Sequence, residues 1–291
     1  MTAARGSGDS TMADPAMNPV SRTAYYCCGV RALDAAGPQP VCGDRFAQRF
    51  MTAESWAMFE PFRSLSTPNA SNVARHRIID DLLRTILMTR PDATVVIIGA
   101  GFDTRAFRLP GGRWIELDEP PVIALKESLL PDREAPNPLT RVAVAFGRDP
   151  IGPVLARFRD VPEPVVVLEG VLPYLTATEV RGLLEAIRTA FVRPTLVCDL
   201  TTRFFARRWA GRIGKRLRAL GAPYGRLESE PLELIEAAGF RLTARESVIG
   251  RAAALGLVRI PGWVLATVLR SLRDGYTIAT FERAPAASGA L

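Results

Sequence analysis

Residues 94–105, Thr94-Val-Val-Ile-Ile-Gly-Ala-Gly-Phe-Asp-Thr-Arg105, constrain the chain more than any other stretch. Val95 to Ile98 form a short, wholly apolar, β-branched run, the pattern of a central strand buried on both faces of a parallel sheet. The run stops at Gly99-Ala100-Gly101, where glycine permits a tight turn and lets a ligand approach bare backbone. Amide groups at the start of the following helix would face that ligand. A strand that breaks into a glycine-rich turn and then a helix predicts a nucleotide-type site.

The ligand class follows from what comes next. A dinucleotide fingerprint needs a third glycine, and that position holds Thr104. The second strand pattern, Trp114-Ile-Glu-Leu117, ends in Asp118, 17 residues after Gly101. An acid at that point accepts hydrogen bonds from both ribose hydroxyls. Gly-x-Gly, no third glycine and an acid closing strand two together favour S-adenosylmethionine over a nicotinamide dinucleotide.

Strand and helix patterns then alternate: strands at 94–99, 113–118, 141–146, 165–168 and 195–200, with helices at 121–130, 151–158 and 176–191 between them. Thr176-x-x-Glu179 is a capping box that opens the last of these helices. Phe240–Val248 and Tyr276–Glu282 read as closing strands. Repeats of this size predict an α/β doubly wound sheet, with ligands beyond the C-terminal strand ends. Glu169, directly after Val-Val-Val-Leu168, faces that crevice and is costly to bury unpaired.

Before the first strand, residues 19–36 and 44–51 read as helices of an N-terminal cap. Residues 72–89 form the clearest helix, with Ile78, Ile79, Leu82, Leu83, Ile86 and Leu87 on one stripe. Arg75 and Arg77 fall at its predicted N-terminal end, where cations oppose the helix dipole, and so suggest an anionic partner. After strand five, 203–218 reads as one amphipathic lid helix with seven positive charges. A solvated lid, a rim that attracts anions and a membrane-surface helix all fit it.

Composition narrows the classes. A net charge of +7 over 291 residues does not by itself imply nucleic acid. Cys27, Cys28, Cys42 and Cys198 contain no Cys-x-x-Cys pair, and His76 is the one histidine, so no metal site is expected. Reduced thiols suit a cytoplasmic protein. No apolar stretch reaches the roughly 20 residues of a membrane helix. The expected layout is a disordered tail at 1–18, a cap at 19–70, a ligand-binding α/β domain at 71–283 with lid helices about 202–238, and a disordered tail at 284–291.

These pieces, in order, resemble the leucine carboxyl methyltransferase family, and in particular its bacterial polyketide O-methyltransferase-like branch. The resemblance is carried by Ser21-Arg-Thr-Ala24, Ala74-Arg-His-Arg-Ile-Ile-Asp-Asp81, Ile98-Gly-Ala-Gly-Phe-Asp-Thr-Arg105, Glu116-Leu-Asp-Glu-Pro120 and Leu168-Glu-Gly-Val-Leu-Pro-Tyr-Leu175. It implies a class I methyltransferase-like fold that uses S-adenosyl-L-methionine. It further implies that Arg75 pairs with the cofactor's methionine carboxylate, Gly99 and Gly101 line its path, and Asp103 holds the turn or the amino group. By the same resemblance Asp118 grips the ribose, Glu169 faces the amino end, and Ser21 or Arg22 closes over it. The family's usual Asp-Leu pair after strand three is Ala145-Phe146 here. Phe146 is left to pack on the adenine, with Asp149 as a substitute for the lost acid.

A carboxylate acceptor is already ionised at neutral pH and needs no base. Scarcity of bases and an arginine-rich cap therefore predict an acidic small molecule, methylated on a carboxylate or an acidic hydroxyl. Arg22, Tyr25, Tyr26, Tyr174 and Trp209 are the expected substrate-side residues. His76 and Tyr174 are the weak candidates for a catalytic group. A protein C-terminal carboxylate as substrate, and a non-catalytic cofactor-binding relative, remain as alternatives.

Overall fold

A computed structural model describes residues 17–284; apart from Met17, Asn18 and Ala284, both expected tails lie outside the described residues. Among the described residues seven strands form one sheet in the order β3-β2-β1-β4-β5-β7-β6. They are β1 (Thr94–Ile98), β2 (Arg113–Asp118), β3 (Leu139–Ala143), β4 (Val165–Leu168), β5 (Thr195–Thr201), β6 (Phe240–Ser247) and β7 (Tyr276–Arg283). The first five are parallel, and β7 runs antiparallel to both β5 and β6. The doubly wound α/β sheet expected from the alternating pattern is present.

The reason β1 is apolar throughout is visible in its neighbours. Val95 and Ile97 enter one core layer, Val96 and Ile98 the other. Alternate strand side chains point to opposite faces, so a strand covered on both sides needs no polar position. Burying each of these side chains contributes roughly 1.5–3 kcal/mol.

One face carries α1 (Pro19–Ala36), α2 (Ala53–Arg63), α3 (Ser66–Thr89), α5 (Pro120–Leu129) and α11 (Val248–Ala254); α4 (Arg105–Arg108) is the short turn of helix after β1. The other face carries α6 (Ile151–Ala156), α7 (Ala177–Ala190) and α10 (Pro231–Ala237). The capping box at Thr176 and Glu179 is formed as expected. The lid region holds α8 (Arg203–Arg208) and α9 (Gly211–Ala219), and the chain between β6 and β7 adds α12 (Gly262–Ala266) and α13 (Arg270–Asp274).

Several local expectations are corrected. The helix expected from 72 begins at Ser66, because Pro68 falls within the first turn, where its missing N–H has no partner to lose. Arg75 and Arg77 are therefore mid-helix, and the dipole argument for an anionic partner fails. The boundary expected between 70 and 71 falls inside this helix. The short helix expected at 44–51 is a 3-10 turn at Ala47–Phe50, and α2 had no expectation. The third strand ends at Ala143, so Phe146 sits in the following loop. The lid helix breaks at Trp209-Ala210 into two.

The order reverses between β1 and β4, which places the crevice beyond Ile98 and Leu168. Gly99 (φ 71°) and Gly101 (φ 48°) turn the chain there in the left-handed region. A Cβ on Gly99 would stand 2.8 Å from Val171 Cγ2. Gly99→Ala is expected to lower stability by about 1–3 kcal/mol, read by thermal or chemical denaturation, through the left-handed backbone and that contact.

Candidate functional site

The turn after β1 is tied to the end of β2. The Gly99 and Ala100 amides donate to the Leu117 carbonyl at 2.9 and 3.1 Å. The Gly101 amide donates to Asp118 Oδ2 at 2.5 Å and the Glu119 amide to Oδ1 at 2.7 Å. Two backbone donors thus aim a buried carboxylate into the crevice. Burial pushes the Asp118 carboxyl up to about 6, with the Gly101 and Glu119 amides opposing. Beyond β3, the Ala145 amide donates to Asp149 Oδ2 at 2.8 Å and the Phe146 amide to Glu119 Oε1 at 3.0 Å. A carboxylate therefore does stand against position 145, supplied by Asp149. Phe146, at 37% exposure, lies open beside it.

Beneath this rim lies a buried ionic network centred on Arg105, which is fully buried. Its guanidinium donates to Asp80 at 2.6 Å, to Glu169 Oε2 at 2.8 Å and to Asp103. The Asp103 carboxylate also caps the Arg105 amide at 2.7 Å, which holds the turn. Arg108 donates to Asp80 at 2.8 Å. Arg31 of α1 donates to Asp44 at 2.9 Å and to the Phe102 carbonyl at 2.6 Å, which fastens the cap to the turn. Arg75 Nε donates to Glu169 Oε1 at 2.9 Å, while its Nη2 meets the weak acceptor Cys27 Sγ at 3.6 Å. Burial alone would raise the Glu169 carboxyl, but Arg105 and Arg75 hold it well below the usual range.

His76 sits inside this network. Arg105 Nη2 lies 2.8 Å from its Nδ1 and Arg108 Nη2 lies 2.7 Å from its Nε2. Burial and then Arg105 lower its pKa. The ring is buried away from the crevice, so the expectation of a catalytic role for His76 is corrected to a packing one. His76, Asp103 and Glu169 do converge, but the Arg105 guanidinium already bonds all three.

The crevice opens into a cavity of about 1830 Å³. Ser21, Arg75, Gly99, Gly101, Asp103, Asp118, Phe146 and Glu169 all line it, as do Tyr26, Tyr174 and Trp209. Ser21 is buried in the first turn of α1, its amide bonded to the Asn18 side chain at 2.8 Å. The Tyr174 hydroxyl donates to Thr23 at 3.2 Å, and its ring meets Tyr224 edge-on at 5.7 Å. Burial pushes the phenols of Tyr26, Tyr174 and Tyr224 up, the last to about 12. The substrate-side expectation is corrected at two positions. Arg22 is exposed on the far side of α1, and Tyr25, one helical step from Tyr26, packs its ring 4.8 Å from Phe102.

The sequence reading missed Arg105, Asp199, Tyr224 and Tyr276. Asp199 lies near the C-terminal end of β5 and Glu169 directly follows β4, so the strand-end rule applied to Glu169 would have found it. Tyr276 opens an antiparallel strand, and that direction has no signal in the sequence.

Comparison with known proteins gives the family and the fold. The family model described as leucine carboxyl methyltransferase matches residues 24–188. The tetracenomycin polyketide synthesis O-methyltransferase TcmP of Streptomyces glaucescens is 29% identical over 213 residues, 71% of this chain and 74% of that protein. A Mycobacterium bovis protein, provisionally named an S-adenosyl-L-methionine-dependent methyltransferase, is 31% identical over 75% of this chain and 69% of its own. Among solved structures, a Thermobifida fusca protein provisionally described as a methyltransferase has a TM-score of 0.55 at 16% identity. That alignment covers 88% of this chain and 94% of the other, and shows the shared class I α/β fold.

The raised Asp118 carboxyl has a consequence for stability. Its folded pKa, about 6, lies above the unfolded value, so the fold is penalised as pH rises from about 4 through 6. The unliganded protein is expected to lose stability as pH rises from about 4 through 6, and this part of the pH dependence is expected to be absent in Asp118→Asn; denaturation measured across that range checks it.

Proposed function

The chain belongs to the leucine carboxyl methyltransferase family, and from that premise we propose that it transfers a methyl group to a carboxylate or acidic hydroxyl of a small, polyketide-like metabolite. Its cofactor is S-adenosyl-L-methionine, which supplies an activated methyl on a sulfonium. The observation that carries the reading is one continuous cavity with two chemically distinct ends. At about 1830 Å³ it exceeds the roughly 300–1,000 Å³ of a single-ligand pocket, which leaves room for a nucleoside and a second molecule.

The residues present fit the cofactor. Asp118 keeps a lone pair on each oxygen beyond its two backbone donors, suited to a pair of ribose hydroxyls. Gly99 and Gly101 offer bare backbone. The Phe146 ring, with Asp149 beside the Ala145 amide, makes an adenine-sized edge. Arg75 Nη2, set against a sulfur, would gain from a carboxylate acceptor instead. Asp103 is engaged with Arg105 and serves the turn.

The other end lies under α1, where Ser21, Thr23, Tyr26 and Cys27 form a roof over Tyr174, Tyr224 and Trp209. Aromatic walls under a cap suit a compact, planar acceptor rather than a protein tail. The protein's part in the reaction is to align that acceptor and exclude water. Positioning of this kind supplies up to about 7–11 kcal/mol of barrier reduction.

The domain reading follows the same division: α1 and α2 as a cap, the sheet as the cofactor domain, α8 and α9 as a lid, with α10 of the expected lid region packed on the sheet instead. A methyl-transfer screen over acidic metabolites and phenols, read by the mass gain of one CH₂, tests the reading; no product from any of them, with cofactor bound, overturns it. Calorimetry should show cofactor affinity falling as pH drops below about 6, where Asp118 takes a proton. Asp118→Ala is expected to weaken binding by about 10–100-fold with the fold intact.

A further inference from the structure

Asp199 lies near the C-terminal end of β5, and Tyr276 opens β7 opposite Thr201, two residues further along the same strand face. Both line the cavity on the α1 side. The Gly170 amide donates to Asp199 Oδ1 at 2.7 Å, which fixes the carboxylate. The Tyr276 hydroxyl donates to Asp199 Oδ2 at 3.4 Å and accepts from Arg75 Nη1 at 3.1 Å. A phenolic oxygen has one proton and two lone pairs. Asp199 takes the proton and Arg75 one lone pair, which leaves the second lone pair for a group in the cavity. That group must be a donor. An ionised carboxylate has no proton to offer; a hydroxyl has one.

We propose that Tyr276 accepts the proton of a phenolic or enolic hydroxyl on the acceptor substrate while passing its own to Asp199. The proposal rests on the methyltransferase reading above and narrows its acceptors from acids in general to weakly acidic hydroxyls. The substrate O–H bond breaks and its proton goes to Tyr276 Oη; the Tyr276 proton goes to Asp199 Oδ2, which later yields it to water. The freed oxygen lone pair forms the new carbon–oxygen bond, and the electrons of the carbon–sulfur bond remain on sulfur. Tyr276 is the catalytic residue and Asp199 a positioning one that acts through it.

The surroundings suit a base. Asp199 is faced by Arg75 from α3, Glu169 from the end of β4, Tyr276 from β7, Tyr224 from the loop after α9, and Cys198 on its own strand. Burial raises its carboxyl, Arg75 and the Gly170 amide oppose, and Glu169 adds to the rise. A carboxylate of raised basicity is better matched to proton abstraction near neutral pH than an ordinary aspartate.

The test compares the parent with Asp199→Asn and Tyr276→Phe on phenols of graded acidity, from unsubstituted phenol to a nitrophenol already ionised at the assay pH. Single-turnover methyl transfer is measured across pH, and cofactor affinity by calorimetry. For weakly acidic phenols both variants should lose about 10²–10⁴-fold in rate. The defect should shrink as pH rises and vanish for the ionised nitrophenol, with cofactor affinity unchanged. With the demethylated product of the cofactor bound, the parent should bind neutral phenol better than nitrophenolate, and Asp199→Asn should reverse that order. An equal defect for every phenol, lost cofactor affinity in either variant, or a parent that methylates carboxylates alone overturns the proposal. A parent that binds no cofactor at all fails the underlying reading instead.

Discussion

A single buried guanidinium holds the ligand crevice together. Arg105 bonds the turn after β1 through Asp103, helix α3 through Asp80 and His76, and the end of β4 through Glu169. Arg108 and Arg31 extend the network through Asp44 into the cap. Each buried ion carries a desolvation penalty of several kcal/mol, and removing one partner of such a set typically costs about 3–5 kcal/mol, because the others are stranded. The arrangement therefore contributes less to net stability than to fixing three walls of the cavity relative to one another.

Two carboxylates at the same sheet edge are driven in opposite directions. Asp118 meets only backbone amides among its hydrogen-bond partners described here and is pushed up by burial. Glu169, slightly more open, lies between Arg105 and Arg75 and is held down. The first is poised to gain from hydroxyl donors; the second is a permanent anion that orients cations. Sequence position at a strand end does not distinguish the two, since the difference lies in what packs above each.

The central strand, the glycine turn and the acids at strand ends were legible because each depends on local pattern: apolar alternation, a backbone only glycine tolerates, and the geometry of a parallel sheet. The network was not, because its pairs span tens of residues; Arg105 and Glu169 are 64 apart. The same limit explains Arg22 and Tyr25. With α1 sandwiched between the sheet-bound turn and α2, apolar residues occur around much of its circumference, so no stripe marks the face that meets the cavity. The start of α3 was hidden by Ser66-Thr-Pro-Asn69, a run that reads as loop yet fills the first turn of a helix.

The reversed direction of β7 lets the beginning of a late strand, and not its end, reach the crevice. Tyr276 thereby joins residues encoded far earlier, while the glycine turn, Asp118, Phe146 and Asp149 all lie within residues 94–150. The two ends of the cavity are thus drawn from separate tracts of one gene. Drift in the lid and the β6–β7 segment can reshape one part of the cavity while the glycine turn and Asp118 stay untouched, a division of labour through which one scaffold diversifies.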